Sequence, residues 1–185
     1  MKIEILSGSP RRNSVTYRVA LHLQKALQEK PDTEAGIIDL REHFLPPLQE
    51  VFMAPHLAPE KHQALAKRMF EADAFVLLTP EYNGSYTPDL KNLLDHFPKQ
   101  SRKVFAIATA SPGALGGIRA AMQLQQLVFA LFGIGSPYML VTPQVDKKFD
   151  GEGNLLDAGF RKSIDVFVNE FLWLAEKVVD EKVAV

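Results

Sequence analysis

The sequence lacks cysteine entirely over its 185 residues. Disulfide bonds, thiolate nucleophiles and cysteine-ligated metal centres are therefore excluded. No two of the five histidines are separated by three or four residues, so no pair shares one face of a helix. Without such a pair and without cysteine, a metal site is not expected.

The chain also has no excess of charge of one sign and no long apolar run. The 21 basic and 22 acidic residues leave a net charge of -1, which provides no general attraction to nucleic acid or to an acidic membrane. No apolar run reaches the roughly 18 residues that a membrane span needs. The chain enters an apolar strand at once, without a basic region and a signal core. These absences predict a cytoplasmic protein that binds neither nucleic acid nor membrane.

Apolar runs alternate with segments of helical period along the whole chain. The composition, 46% hydrophobic and 23% charged, is typical of one packed core, and residues 1–185 are predicted to form a single domain. Strands are predicted over residues 2–7, 35–40, 74–79, 104–109 and 138–142. Helices are predicted over residues 14–29, 59–72, 88–97, 117–132 and 158–181, the last capped by Asp157.

Five strands that alternate with five helices predict an α/β protein. The sheet is expected to be parallel and covered by helices on both faces, in a three-layer sandwich. The strand order 2-1-3-4-5 is the natural expectation for five such strands. Residues 41–58 are the irregular part, because three prolines interrupt several apolar residues there. This segment is interpreted either as a packed surface loop or as a subunit contact or flap.

The loop after the first strand, residues 8–14, reads Gly-Ser-Pro-Arg-Arg-Asn-Ser. It leads into a helix, whose free N–H groups and dipole favour a phosphate, and Arg11 adds a forked cation. The loop lacks both the G-x-x-x-x-G-K-[ST] and the G-x-G-x-x-G patterns. The alternative is an ordinary strand-to-helix turn in which Asn13 or Ser14 caps the helix.

The loop after the third strand, residues 80–85, reads Pro-Glu-Tyr-Asn-Gly-Ser. Tyr82 offers an apolar face with a polar tip, and Asn83 offers both a donor and an acceptor. A flat polar ring suits such a loop, although a simple turn explains it equally well. Glu81 is either a catalytic base or, more commonly for such a carboxylate, a structural residue. Together with the phosphate loop, this segment suggests a phosphorylated flavin.

The loop after the fourth strand, residues 110–117, is rich in glycine. Main-chain N–H groups there can point into a cleft and stabilise negative charge on a reduced ring, or the glycines can simply provide flexibility. The segment around Ser111 faintly resembles a hydrolase elbow. Pro112 follows that serine and has no N–H for an oxyanion, so a serine hydrolase is not expected.

Taken together, these three loops resemble the NADPH-dependent FMN reductase family of flavodoxin-like proteins, which includes azoreductases and chromate and quinone reductases. The matching segments span nearly the whole chain, and the most specific is residues 80–85 with the following Leu-Lys-Asn at 90–92. The resemblance implies a flavodoxin-like fold and FMN as the cofactor. The residues that it would place around FMN are Ser9, Arg11, Asn13, Ser14 and Thr16 at the phosphate, Pro80, Glu81, Tyr82, Asn83 and Gly84 at the isoalloxazine, and Ser111, Gly113, Gly116 and Gly117 at its pyrimidine edge.

The resemblance also implies an FMN-dependent NAD(P)H oxidoreductase. In that reaction NADPH (or NADH) reduces FMN and leaves, and a small acceptor then takes the electrons in a ping-pong sequence. The acceptor stays open between a quinone, an azo compound, a metal oxyanion and a flavin, and no side chain is predicted to be catalytic. A homodimer or homotetramer is expected. The alternatives are a non-enzymatic FMN-binding electron carrier and a regulatory domain without cofactor.

Overall fold

A computed structural model describes residues 1–183 of the chain. Its strands are β1 (Lys2–Ser7), β2 (Glu34–Asp39), β3 (Ala74–Thr79), β4 (Val104–Ser111), β5 (Ile134–Gly135) and β6 (Leu140–Pro143). Its helices are α1 (Thr16–Gln28), α2 (Glu60–Glu71), α3 (Pro88–Asp95), α4 (Ile118–Ala130), α5 (Val145–Lys148) and α6 (Arg161–Val183). Short 3₁₀ turns cover Pro55–Leu57 and Ala158–Phe160.

The strands form one parallel sheet in the order β2-β1-β3-β4-β5. The predicted order is therefore confirmed, and so is the flavodoxin-like fold class. Every residue of β3 is buried, because helices cover both faces of the strands at the centre of the sheet. The carboxyl ends of β1, β3 and β4 thus lie side by side at one edge.

The last predicted strand, residues 138–142, differs from the structure. Two short strands, β5 and β6, both pair in parallel with β4 and share the position that one strand was expected to fill. Residues 136–139 separate them, and these include Pro137, which cannot donate to a sheet ladder. The apolar pattern of the sequence did not indicate β5 or the short helix α5.

Two apolar clusters cover the two faces of the sheet. One joins the sheet to α1 and α6 and includes Leu23, Phe149 and Phe171. The other joins it to α2, α3 and α4 and includes Phe75 and Phe105, whose rings stack with centroids 5.3 Å apart. Asp157 accepts a hydrogen bond from the N–H of Gly159, so it caps the 3₁₀ turn that leads into α6.

Residues 41–58 pack against α3 rather than standing free. Leu45 and Phe52 are buried, and the Asn92 side chain donates to the carbonyl oxygens of Leu45 and Pro46 at 3.0 and 2.9 Å. Other apolar side chains of this segment, among them Phe44 and Met53, are exposed. The packed-loop interpretation therefore accounts for only part of its apolar residues, and a subunit contact for the rest stays a prediction.

No helix among residues 1–183 combines the length and the apolar character that a membrane span requires.

Candidate functional site

A cleft of about 320 Å³ opens at the carboxyl edge of the sheet, where the loops after β1, β3 and β4 meet. This is the edge at which open α/β sheets bind ligands. It brings nine of the predicted site residues together. They are Ser9, Arg11, Asn13, Ser14, Thr16, Pro80, Glu81, Tyr82 and Ser111, and the cleft is completed by Val15, Ala110 and Pro112.

The first loop is held firmly at its start. The Gly8 N–H donates to the Leu78 carbonyl oxygen at 2.7 Å, and the Gly8 carbonyl accepts from the Thr87 hydroxyl at 2.5 Å. A side chain at position 8 would lie 3.0 Å from that Leu78 oxygen and 3.2 Å from Leu90. Glycine is therefore required here because the backbone passes between two neighbours.

The rest of the first loop presents unused donors. Ser14 accepts a hydrogen bond from the Tyr17 N–H at 3.3 Å, as a helix cap does. Within residues 1–183, the main-chain N–H groups of residues 9 and 11–15 form no hydrogen bond. Several free donors at the start of a helix, with hydroxyl and amide side chains beside them, suit an anion. The cap and the phosphate interpretations are thus compatible.

Arg11 connects the first loop to the second. Its guanidinium carbon lies 4.8 Å from the centre of the Tyr82 ring, as in a cation–π contact. The Arg12 side chain forms no hydrogen bond, ion pair or ring contact with any residue that the structure describes. Of these two cations, Arg11 lines the cleft and brings a positive charge to it, and the exposed Arg12 is next to it in the chain.

The second loop is a tight hairpin turn. Tyr82 and Ser85 exchange backbone hydrogen bonds of 2.9 and 3.0 Å, and the two residues between them, Asn83 and Gly84, have φ of 50° and 82°. Asn-Gly favours such a turn because both residues tolerate left-handed backbone. Asn83 is exposed and lines a second groove instead of the cleft. The Tyr82 hydroxyl is buried without a hydrogen-bond partner among the described residues.

Glu81 is tied to the start of α4. Its carboxylate accepts from the Arg119 N–H at 3.1 Å and from the Arg119 guanidinium at 3.0 Å. The neighbouring Ser85 hydroxyl donates to Gln123 at 2.6 Å. The second loop is therefore fixed to α4 at two points, and Glu81 has the contacts of a structural carboxylate.

The third loop uses its glycines for packing. Gly116 and Gly117 are buried, and an added Cβ would lie 2.7 Å from the Pro143 nitrogen at Gly116 and 2.9 Å from Thr109 at Gly117. The Gly116 N–H donates to the Gly113 carbonyl at 3.4 Å, and the Gly113 N–H donates to the Ser111 hydroxyl at 3.0 Å. The N–H groups of Gly113 and Gly116 are therefore already paired, whereas the Gly117 N–H has no partner among residues 1–183.

Thr87 is a structural residue of the site that the sequence analysis missed. It is fully buried, caps α3 by accepting from the Leu90 N–H, and donates to Gly8 in the first loop. Its own N–H donates to the Thr79 hydroxyl at 3.2 Å. A threonine directly before a proline at the start of a helix is a known cap signal, so the pattern Thr87-Pro88 was sufficient to find it.

A groove of about 510 Å³ adjoins the second loop, lined by Tyr82, Asn83, Ser85, Tyr86, Thr87, Pro88 and Lys91. Burial raises the pKa of the Tyr86 phenol above its ordinary value, so this hydroxyl keeps its proton at neutral pH. Tyr86 is therefore a neutral hydrogen-bonding group beside the cleft.

Comparison with known proteins identifies the family of the chain. Residues 1–144 match the sequence profile of the family described as NADPH-dependent FMN reductase. An FMN-dependent NADPH-azoreductase of Staphylococcus aureus strain USA300 is 33% identical over 179 residues, which cover 93% of this chain and 94% of the relative. The chain therefore belongs to the NADPH-dependent FMN reductase family. It is an oxidoreductase with FMN as cofactor and NADPH as electron donor, as predicted.

Solved structures support the fold. FerB, a flavoenzyme NAD(P)H:(acceptor) oxidoreductase from Paracoccus denitrificans, superposes with a TM-score of 0.76 at 24% identity, covering 95% of this chain and 97% of FerB. A point mutant of flavodoxin from Pseudomonas aeruginosa superposes with a TM-score of 0.58 at 18% identity, covering 92% of this chain and 99% of the flavodoxin. At 24% and 18% sequence identity, these superpositions show a shared fold only.

The residues of the cleft fit FMN. Free N–H groups, hydroxyls and Arg11 suit the phosphate at one end. The buried Tyr82 hydroxyl also lacks a partner among the described residues, and unpaired buried polar groups are rare in native proteins unless something satisfies them. The cleft volume lies within the roughly 300–1,000 Å³ of small-molecule sites.

Proposed function

We propose that FMN binds in the cleft with its phosphate against the first loop and its ring between the second and third loops. The observation that carries this proposal is the meeting of three separate loops at one sheet edge, with free donors in the first loop. Ser9, Arg11, Asn13, Ser14 and Thr16 would hold the phosphate. Pro80, Glu81, Tyr82, Asn83, Gly84, Ser111, Gly113, Gly116 and Gly117 would border the ring.

FMN bound there would supply the hydride and electron transfer between NADPH and an acceptor. The protein's own residues would bind and orient the ring at the cleft. Arg11, which lines the cleft, and the neighbouring exposed Arg12 would provide positive charge for a phosphorylated donor. The groove beside Tyr86 and Lys91 offers room for a flat acceptor. We propose an azo compound or a quinone, in keeping with the azoreductase relative.

The proposed reaction can be tested directly by following the visible absorbance of FMN under anaerobic conditions. Purified protein loaded with FMN should lose its yellow absorbance when NADPH is added and regain it when an azo dye or a quinone follows. Initial rates at several fixed acceptor concentrations should give parallel double-reciprocal lines, because donor and acceptor would use the site in turn. Intersecting lines would show that both bind together, and unbleached FMN would contradict the proposed site.

Changing Glu81 to Gln should leave catalysis largely intact. Its carboxylate is 14% exposed and is already engaged by Arg119, which is 62% exposed, and glutamine keeps an oxygen that can accept the same hydrogen bonds. NADPH oxidation is expected to fall by less than about fivefold at equal flavin content. Arg119→Gln is the matched control, since it breaks the same pair from the other side. Loss of activity in Glu81→Gln alone, with flavin retained, would identify Glu81 as a catalytic base.

We also propose that the single domain of residues 1–185 works in the cytoplasm as a homodimer or homotetramer. Leu124, Leu127 and Val128 of α4 are buried, whereas Phe129 is 74% and Phe132 61% exposed. An exposed aromatic pair of this kind is typical of an interaction surface. Light scattering should give a mass of at least twice the 20.6 kDa of one chain. A monomer at working concentration would refute the oligomer.

A further inference from the structure

Arg41 lies behind the first loop and is fixed there by Asp39. The Asp39 carboxylate accepts from the Arg41 Nε at 3.0 and 2.8 Å, from its terminal nitrogen at 2.5 Å and from its main-chain N–H at 3.0 Å. The Asp39 side chain is only 5% exposed. A forked pair of this kind fixes both the position and the plane of the guanidinium.

The same guanidinium contacts helix α1. Its central carbon lies 4.0 Å from the centre of the Tyr17 ring, and the Tyr17 N–H donates to Ser14 in the first loop. Arginine stacks on aromatic faces in this way because its guanidinium is planar and weakly hydrated. Arg41 therefore connects the end of β2 with the first turn of α1.

The third contact of Arg41 reaches the loop itself. A terminal nitrogen donates to the Arg12 carbonyl oxygen at 3.4 Å. The chain has no cis peptide bond among the described residues, and in a planar trans peptide the C=O and the following N–H point in opposite directions. With the Arg12 carbonyl held toward Arg41, the Asn13 N–H is turned the other way. Asn13 lines the cleft, and its N–H has no partner among residues 1–183.

We propose that Arg41 is a positioning residue that holds the Arg12–Asn13 peptide so that the Asn13 N–H faces the FMN phosphate. This inference rests on the proposed function, in which the phosphate binds in the first loop. Asp39 neutralises the charge of Arg41, so the contribution of Arg41 comes from its geometry rather than from a long-range attraction. Lysine keeps the charge but loses the planar fork, and it therefore cannot replace Arg41.

The test compares two flavins in the Arg41→Lys variant. FMN carries the phosphate and riboflavin does not, so a role at the phosphate affects only FMN. In titrations followed by flavin fluorescence, Arg41→Lys should lower the affinity for FMN about tenfold. This is the effect of losing one charge-assisted hydrogen bond. Riboflavin affinity should change by less than about twofold. Circular dichroism checks that the variant is folded.

Arg68→Lys is the matched control. Arg68 forms a similar forked pair with Glu4 on residues that line no part of the cleft, so neither flavin should be affected. Should Arg41→Lys fail to fold, Tyr17→Leu carries the test, because it removes the stacking partner and leaves the Asp39 pair. An unchanged ratio of FMN to riboflavin affinity would overturn the role of Arg41. A wild-type protein that binds riboflavin as tightly as FMN would instead contradict the phosphate site itself.

Discussion

Replacing Gly116 with alanine is expected to lower the free energy of unfolding by about 3 kcal/mol. The backbone at Gly116 has φ of 62°, which strains any residue with a Cβ. The added carbon would also lie 2.7 Å from both the Pro143 nitrogen and a methyl group of Val141. Neither neighbour can withdraw easily, because Val141 and Pro143 belong to β6 and pair with β4.

The measurement is thermal or urea unfolding followed by circular dichroism. A loss of about 3 kcal/mol corresponds to a fall of roughly 6–12 °C in Tm for a chain of this size. Gly151→Ala is the control, since no atom lies within 4 Å of its added Cβ, and its stability should be close to that of the wild type. Equal stabilities of the two variants would refute the packing role of Gly116.

Changing Asn13 to Asp is expected to lower the affinity for FMN by about thirtyfold, which is about 2 kcal/mol of binding free energy. The substitution keeps the shape of the side chain but places a carboxylate beside a phosphate that carries nearly two negative charges at neutral pH. The high effective dielectric of a surface site limits this repulsion to that size. Asn13 is exposed, so the fold should tolerate the change.

Titrations with FMN and riboflavin at two salt concentrations measure this effect. Added salt should recover part of the lost FMN affinity because it screens the repulsion, and riboflavin should bind as it does to the wild type. Gln126→Glu adds the same charge on the exposed side of α4, away from the cleft, and serves as the control. A similar loss for both flavins would place the phosphate elsewhere.

Much of the fold was predictable because the apolar pattern is strong. Each residue of β3 is buried, and such a continuous apolar run between two helical segments is typical of a central parallel strand. The split into β5 and β6 was not predictable, because β5 has two exposed residues and no apolar run. Its place depends on the Ile134 N–H, which donates to the distant Lys103 carbonyl.

The site was predictable in outline, since loops that follow parallel strands must meet at one edge. The partners of individual side chains were not predictable. Glu81 and Arg119 are 38 residues apart in the chain, and their pairing arises only when α4 begins beside the second loop. Arg41 reaches Tyr17 and Arg12 because β2 lies next to β1 in the sheet.

The glycines of the third loop show a further limit on what can be predicted from the sequence. Their number suggested N–H groups that point into a cleft, and the same glycines also meet the needs of close packing. A sequence does not distinguish these two uses, because both require the absence of a Cβ. Only the position of β6 against β4 shows that Gly116 lies against a neighbouring strand.

A crystal structure of the protein grown with FMN tests the central claim most directly. We predict the phosphate within hydrogen-bonding distance of main-chain N–H groups of residues 11–15, and the ring beside Tyr82. Flavin bound at any other surface, with this cleft closed by its own side chains, would contradict the proposed site.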